Sequence, residues 1–238
     1  MSTPAPMLDR PISEQPTQVR TQFMTRVYVR LLFGIAAFIL AQFALFTLPG
    51  PGEASFAAMI TAIVAQTNWL LILGGFMVVS WLASRLSYKA TTPAAAYGGY
   101  AVLVGANALL FATPLFIAAN TPALDGTIET AAQISLAAFA ILSFIAIRTS
   151  KDFSFLRPFL MWAGILALGG IVGSVIFGFT LGVWFPIAMI AVAGAAILYD
   201  TQKIYHSYPP NMETQAAMNL FSSIALLFWY VLQLLMRR

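Results

Sequence analysis

An all-α polytopic membrane protein with seven spanning helices is the fold class this sequence predicts, and three observations predict it. The 238 residues are 60% hydrophobic and only 8% charged, where a soluble domain carries about a quarter charged residues. The apolar residues fall into runs of about 20, the length a helix needs to cross a bilayer. Basic residues recur in every second connection between those runs. So little charge cannot make a water-soluble surface, and the partner implied is the lipid bilayer. The net charge of +4 does not point to nucleic acid, because the basic residues lie between apolar runs with no aromatic–basic surface. Absence of cysteine excludes disulfides, thiolate metal sites and cysteine nucleophiles.

Residues 1–27 are expected to form a disordered cytoplasmic tail ahead of a membrane domain at 28–238. The opening stretch, MSTPAPMLDRPISEQPTQVRTQ, is rich in Pro, Thr and Gln, a composition that buries little apolar surface. Its long polar lead, and a following run long enough to span, distinguish it from a signal peptide. Hydropathy places spans at about 31–48, 69–84, 94–117, 128–147, 157–178, 183–203 and 214–236. The second has an alternative start near 58, because QTN at 66–68 interrupts the run. LPGPGE (48–53), ATTPA (90–94) and NTPALDG (120–126) are turn-forming breaks.

Orientation follows from charge. Arg10, Arg20, Arg26 and Arg30 precede the first span, Arg85 and Lys89 follow the second, Arg148, Lys151 and Arg157 follow the fourth, and Lys203 follows the sixth. The alternate connections hold Glu53, Asp125 and Glu129, and only Arg237 and Arg238 fall on that side. The positive-inside rule then predicts a cytoplasmic N-terminus and a periplasmic or extracellular C-terminus. Lean loops suit a bacterial inner membrane.

Asp200, in the segment ILYDTQKIYH, stands before the sixth apolar run is over. It lies four residues, about 6 Å, from Ile204 at that helix's end. An ionisable group inside a span is by default a functional candidate; otherwise it snorkels to the headgroups. The hairpin into the last span should bring Asp200 level with residues near 218, so that Asn219, Ser222 and Ser223 fall within about a turn of it. Those polar side chains either share a hydrated, pore-lining pocket with the acid or bond backbone carbonyls.

Four stretches carry a resemblance. TTPAAAYGGYAVLVGANALLFATPL, RTSKDFSFLRPFL, ILYDTQKIYH and LFSSIALLFWYVLQLL look like the Bax inhibitor-1 family of seven-helix membrane proteins, and their order and spacing fit from about residue 28 to the end. The resemblance implies a last helix surrounded by the other six and a pH-sensitive calcium leak sensed by two acids on the sixth and seventh helices. Asp200 matches the first acid, and Ser223 stands where the second would be. Two facing carboxylates share a proton and titrate as a coupled pair, so a lone acid beside a serine should respond to pH more simply. One carboxylate is also a poor calcium site, since calcium takes six to eight oxygens; only weak, transient binding at Asp200 is expected, and protons are an alternative ion. Arg85 resembles the family's basic latch on the sixth-helix acid, although a plain positive-inside anchor is the commoner role for such a residue. Some bacterial relatives restrain a membrane-anchored ATP-dependent protease, so a non-channel regulator acting through the N-terminal tail stays open.

Other features read as architecture. Gly169–Gly173 and Ser174–Gly178 form a small-xxx-small pattern suited to close helix approach, Pro114 and Pro186 are candidate kinks, and the tryptophans suit an aromatic belt. Asp152 suits the start of the fifth span. His206 has no companion ligand. No enzyme chemistry is expected. An intramembrane aspartyl protease needs a second acid at like depth, and a retinal Schiff base needs a lysine in the last span, which 213–236 lacks. With no inverted repeat, a small-molecule transporter is the weaker alternative.

Overall fold

The computed structural model describes residues 11–50, 54–149 and 151–237. Eight α-helices follow one another: α1 Thr17–Thr47, α2 Phe56–Gln66, α3 Trp69–Tyr88, α4 Pro93–Asn120, α5 Thr127–Arg148, α6 Leu156–Phe177, α7 Trp184–Ser207 and α8 Glu213–Leu235. Among the described residues, seven of them, all but α2, are long and apolar enough to cross a membrane. The chain is an all-helical polytopic membrane protein.

The two starts proposed for the second span resolve into two helices. Ser55 caps α2 by accepting from the Ala58 amide, and Asn68 caps α3 by accepting from the Leu70 amide at 2.9 Å. Asn68 belongs to the polar QTN that interrupts the run, and it opens a new helix. The 11 residues of α2 span about 16 Å, too short for a hydrocarbon core of about 30 Å. α2 instead packs against α1 and α4.

The expected disordered tail is a correction. Only residues 1–10 of it lie outside the described residues. Ile12–Glu14 form a 3-10 turn, and α1 begins at Thr17, directly after Pro16. With 31 residues α1 is about 46 Å long, so its first turns project beyond the bilayer. They are held there by packing. Ile12, Phe23, Val27 and Leu31 are buried in the core, the Ile12 amide donates to the Tyr208 carbonyl at 2.8 Å, and the Ser13 hydroxyl donates to the His206 carbonyl. Arg20 donates to the Tyr205 hydroxyl. The stripe Val19, Phe23, Val27, Leu31 repeats every four residues, one face of a helix, and that signal was present within the polar lead.

α8 is the central helix. Ala216, Ala217, Leu220, Phe221, Ile224, Leu227 and Val231 are all buried, as expected of a helix enclosed on most sides. α1, α3, α4, α5 and α7 pack directly against it. α6 packs on α7, has no buried residue and faces α8 across a cavity. Close helix approach also falls elsewhere than expected. A Cβ added at Gly169 of α6 would meet nothing, whereas one at Gly99 of α4 would sit 2.6 Å from the Ala83 carbonyl oxygen of α3. Gly178 instead ends α6 at φ 70°. Pro114 lies inside α4, and Pro186 sits in the first turn of α7, where a missing amide proton costs nothing.

Candidate functional site

α7 and α8 are joined by a short loop, so the two helices run antiparallel and set their polar residues against each other. Asp200 of α7 accepts a hydrogen bond from the Ser223 hydroxyl of α8 at 2.6 Å. Asp200 is half-buried and Ser223 buried. The pair forms five residues further along α8 than the level of 218 suggested, about 7.5 Å. The loop accounts for the slide: Asn219 is matched to Tyr208 within the loop itself, donating to its hydroxyl at 2.6 Å. Ser223 therefore occupies the place of a second acid, and it supplies a donor where a second carboxylate would have supplied charge.

Asn219 also donates to the Tyr88 hydroxyl at 2.9 Å, and the Tyr88 and Tyr208 hydroxyls lie 2.7 Å apart. The three side chains come from the end of α3, the α7–α8 loop and the second turn of α8. Burial pushes the Tyr208 phenol up, with Tyr88 beside it adding to the effect, so it stays protonated and available as a donor. Next to this cluster Gln215 donates to the Ser87 carbonyl at 2.7 Å, a second tie between α3 and α8.

Ser222 bonds the carbonyl of Met218 at 3.0 Å, the back-bond common for hydroxyls in helices. Its side of α8 also lines a cavity of about 500 Å³. The cavity lies among α3, α4, α6 and α8, with Trp69 and Arg237 near one end and Ser84 and Ser222 near the other. Arg85 is not brought to Asp200. Its guanidinium lies over the Trp81 ring, 4.2 Å from the centroid, a cation–π contact on a face with exposed Trp81 and Leu86. The anchor reading of Arg85 therefore describes this state.

Charge pairing is found at Glu213 instead, an acid that hydropathy alone does not single out. Glu213 is buried at the first residue of α8 and takes Arg30 at 2.8 Å and Arg26 at 3.2 Å. Arg30 also donates to the Thr214 hydroxyl. The signal was the i, i+4 spacing of two arginines on α1 against an acid opening a helix. Gln202 was missed as well. Its amide accepts from the Phe153 amide and donates to the Lys151 carbonyl, both at 2.6 Å, and so clamps the connection between α5 and α6. Within that connection Asp152 accepts from the Ser154 amide at 2.9 Å and the Ser154 hydroxyl at 2.6 Å, and these bonds hold its carboxyl below the usual range. Among the described residues no three His, Cys, Asp or Glu side chains gather as a metal site.

Fold and site together define a polytopic membrane protein whose last helix, at the centre, carries polar residues matched to an acid on its neighbour. The family model described as "Inhibitor of apoptosis-promoting Bax1" matches residues 20–238, and the chain belongs to that family, the Bax inhibitor-1 family. No curated protein matches the chain.

Proposed function

We propose that this chain is a cation leak pathway of the membrane, with calcium the expected ion and Asp200 the pH-sensitive gate. The observation that carries the reading is a carboxylate inside a span, held by a single serine, on the helix pair whose neighbouring face, at Ser222, lines a cavity of about 500 Å³. An acid at that position costs free energy to insert, and no ion pair offsets it: among the described residues the ion pairs are those of Glu213. Protonation of Asp200 would replace a charge-assisted bond with a neutral one, which is weaker, and so loosen α7 from α8. One carboxylate with hydroxyls suits transient passage better than storage of calcium. Arg85, free to swing from Trp81, is the proposed latch partner in another state.

The second reading is a regulator of a membrane-anchored ATP-dependent protease. It draws on the projecting start of α1, where Gln18, Thr21, Gln22 and Thr25 are exposed and form a polar helix face at the level of the basic loops. A bacterial inner membrane with this face in the cytoplasm is the setting proposed for both readings. Two variants separate them. Asp200→Asn should remove the pH dependence of calcium leak from proteoliposomes and leave protease control intact. Changing Gln18, Gln22 and Thr25 together to alanine, which alters the exposed face of α1, should do the opposite, and a change there that abolishes leak alone would count against both assignments.

A further inference from the structure

The cavity and the Tyr88 cluster are continuous along two helix faces. On α3, Ser80, Ser84 and Tyr88 follow at intervals of four and share one face. Ser80 and Ser84 line the cavity, and the Tyr88 hydroxyl lies one turn beyond, bonded to Asn219. On α8, Ser222 lines the cavity, and Asn219 stands three residues beyond it in the same direction. The cavity thus stops at the level of Ser84 and Ser222, and the next turn of both helices is joined by Tyr88, Asn219 and Tyr208, with separations of 2.6 to 2.9 Å. Its far end, at Trp69 and Arg237, belongs to the face opposite the basic loops. Within the cavity the Ser80 hydroxyl is buried with no protein partner, and such groups are normally satisfied by water.

Few other contacts keep α3 on α8 here. α3 is packed chiefly on α4, and Gln215 to Ser87 is the neighbouring tie. From this geometry we infer that Tyr88, Tyr208 and Asn219 form the closed gate at the basic-loop end of a water path whose vestibule is the cavity. The inference rests on the leak reading for its purpose and deepens it, because it places the barrier in a ring of neutral hydroxyl and amide groups separate from Asp200. The species the path takes is water, for which the hydroxyls and amides of its polar lining supply hydrogen-bond partners.

Accessibility tests the gate apart from any flux. The chain has no cysteine, so Ser84→Cys provides a single thiol at the inner end of the cavity. Sealed membrane vesicles of each orientation, carrying the full-length protein, are exposed to a membrane-impermeant sulfonated maleimide. With Ser84→Cys alone, labelling is expected from the face opposite the basic loops and not from the basic face. Adding Tyr88→Phe or Asn219→Ala, each of which removes two of the three bonds, should raise labelling from the basic face roughly ten- to a hundredfold, the population change that loss of two hydrogen bonds produces. Labelling from the opposite face reports that each variant keeps the folded cavity. Equal labelling from the basic face with and without these changes, in variants that still label from the opposite face, overturns the gate. If access responds as expected while no calcium passes, the gate stands and the calcium reading falls; if calcium passes and access does not respond, the gate falls alone.

Discussion

At the scale of single residues, Ser223 decides how Asp200 behaves. A hydroxyl can donate one hydrogen bond to a carboxylate and adds no charge, so no second acid at this position shares a proton with Asp200. Ser223→Asp would set two acids face to face and make them share a proton. The expected outcome is a steeper dependence of calcium leak on pH than in the wild type, read from flux curves across the neutral range. Gln202 offers a separate test of structure. Gln202→Ala removes both bonds to the 151–153 connection and should cost roughly 1–3 kcal/mol, visible as a lower unfolding temperature and faster amide exchange at Phe153. Asp152 adds a pH signature. Its carboxyl is held below the usual range, so its contribution to the turn is present above the ordinary aspartate pKa and is lost as pH falls through the depressed value. Exchange at the Ser154 amide should therefore stay slow on acidification until below that ordinary range. Asp200 and its serine neighbours were legible in the sequence because polar residues stand out in apolar helices. Tyr88 and Tyr208 were not, since amphipathic tyrosines at helix ends look like ordinary interfacial residues until three separate segments are brought together.

At the scale of elements, the spans were legible and their extensions were not. Runs of about 20 apolar residues mark a crossing regardless of what they pack against. The start of α1 carries no such mark, because its burial comes from a stripe at four-residue spacing, Val19, Phe23, Val27 and Leu31, packed into the core. Glu213 fastens that region. Glu213→Gln should weaken both arginine contacts and speed amide exchange across residues 17–27, with the spans unaffected. Exchange unchanged in that segment would show that Ile12, Phe23 and Val27 hold it without the ion pairs. Glycine placement gives a second prediction. Gly99→Ala forces a methyl to 2.6 Å from the Ala83 carbonyl and should destabilise by roughly 1–3 kcal/mol. Gly169→Ala, whose methyl meets nothing, should be neutral or slightly stabilising, since alanine favours a helix over glycine by about 1 kcal/mol. Thermal unfolding in detergent compares the two. The GxxxG pattern in α6 misled because small residues permit close approach without requiring it, and α6 lies at the rim.

At the scale of the whole molecule, the arrangement is a central helix with its neighbours on two unequal sides. α1, α4, α5 and α7 enclose α8 closely, and on the remaining side α3 and α6 flank a cavity. On the proposed reading, the acid at the α7–α8 seam and the ring of polar groups at the end of that cavity would give the bundle two places to respond, one to protons and one to the position of α3. The seven spans could be anticipated from hydropathy, and the central place of α8 from the resemblance to the family. The cavity could not, because it is made by what α6 fails to touch. Calcium flux into proteoliposomes, with the wild type and Asp200→Asn compared from about pH 6 to about pH 8, is the direct test of Asp200 as the gate. A gate at Asp200 predicts a leak that varies with pH in the wild type and loses that variation in Asp200→Asn. Flux no greater than that of empty liposomes at every pH, with folded protein in the membrane, would contradict it.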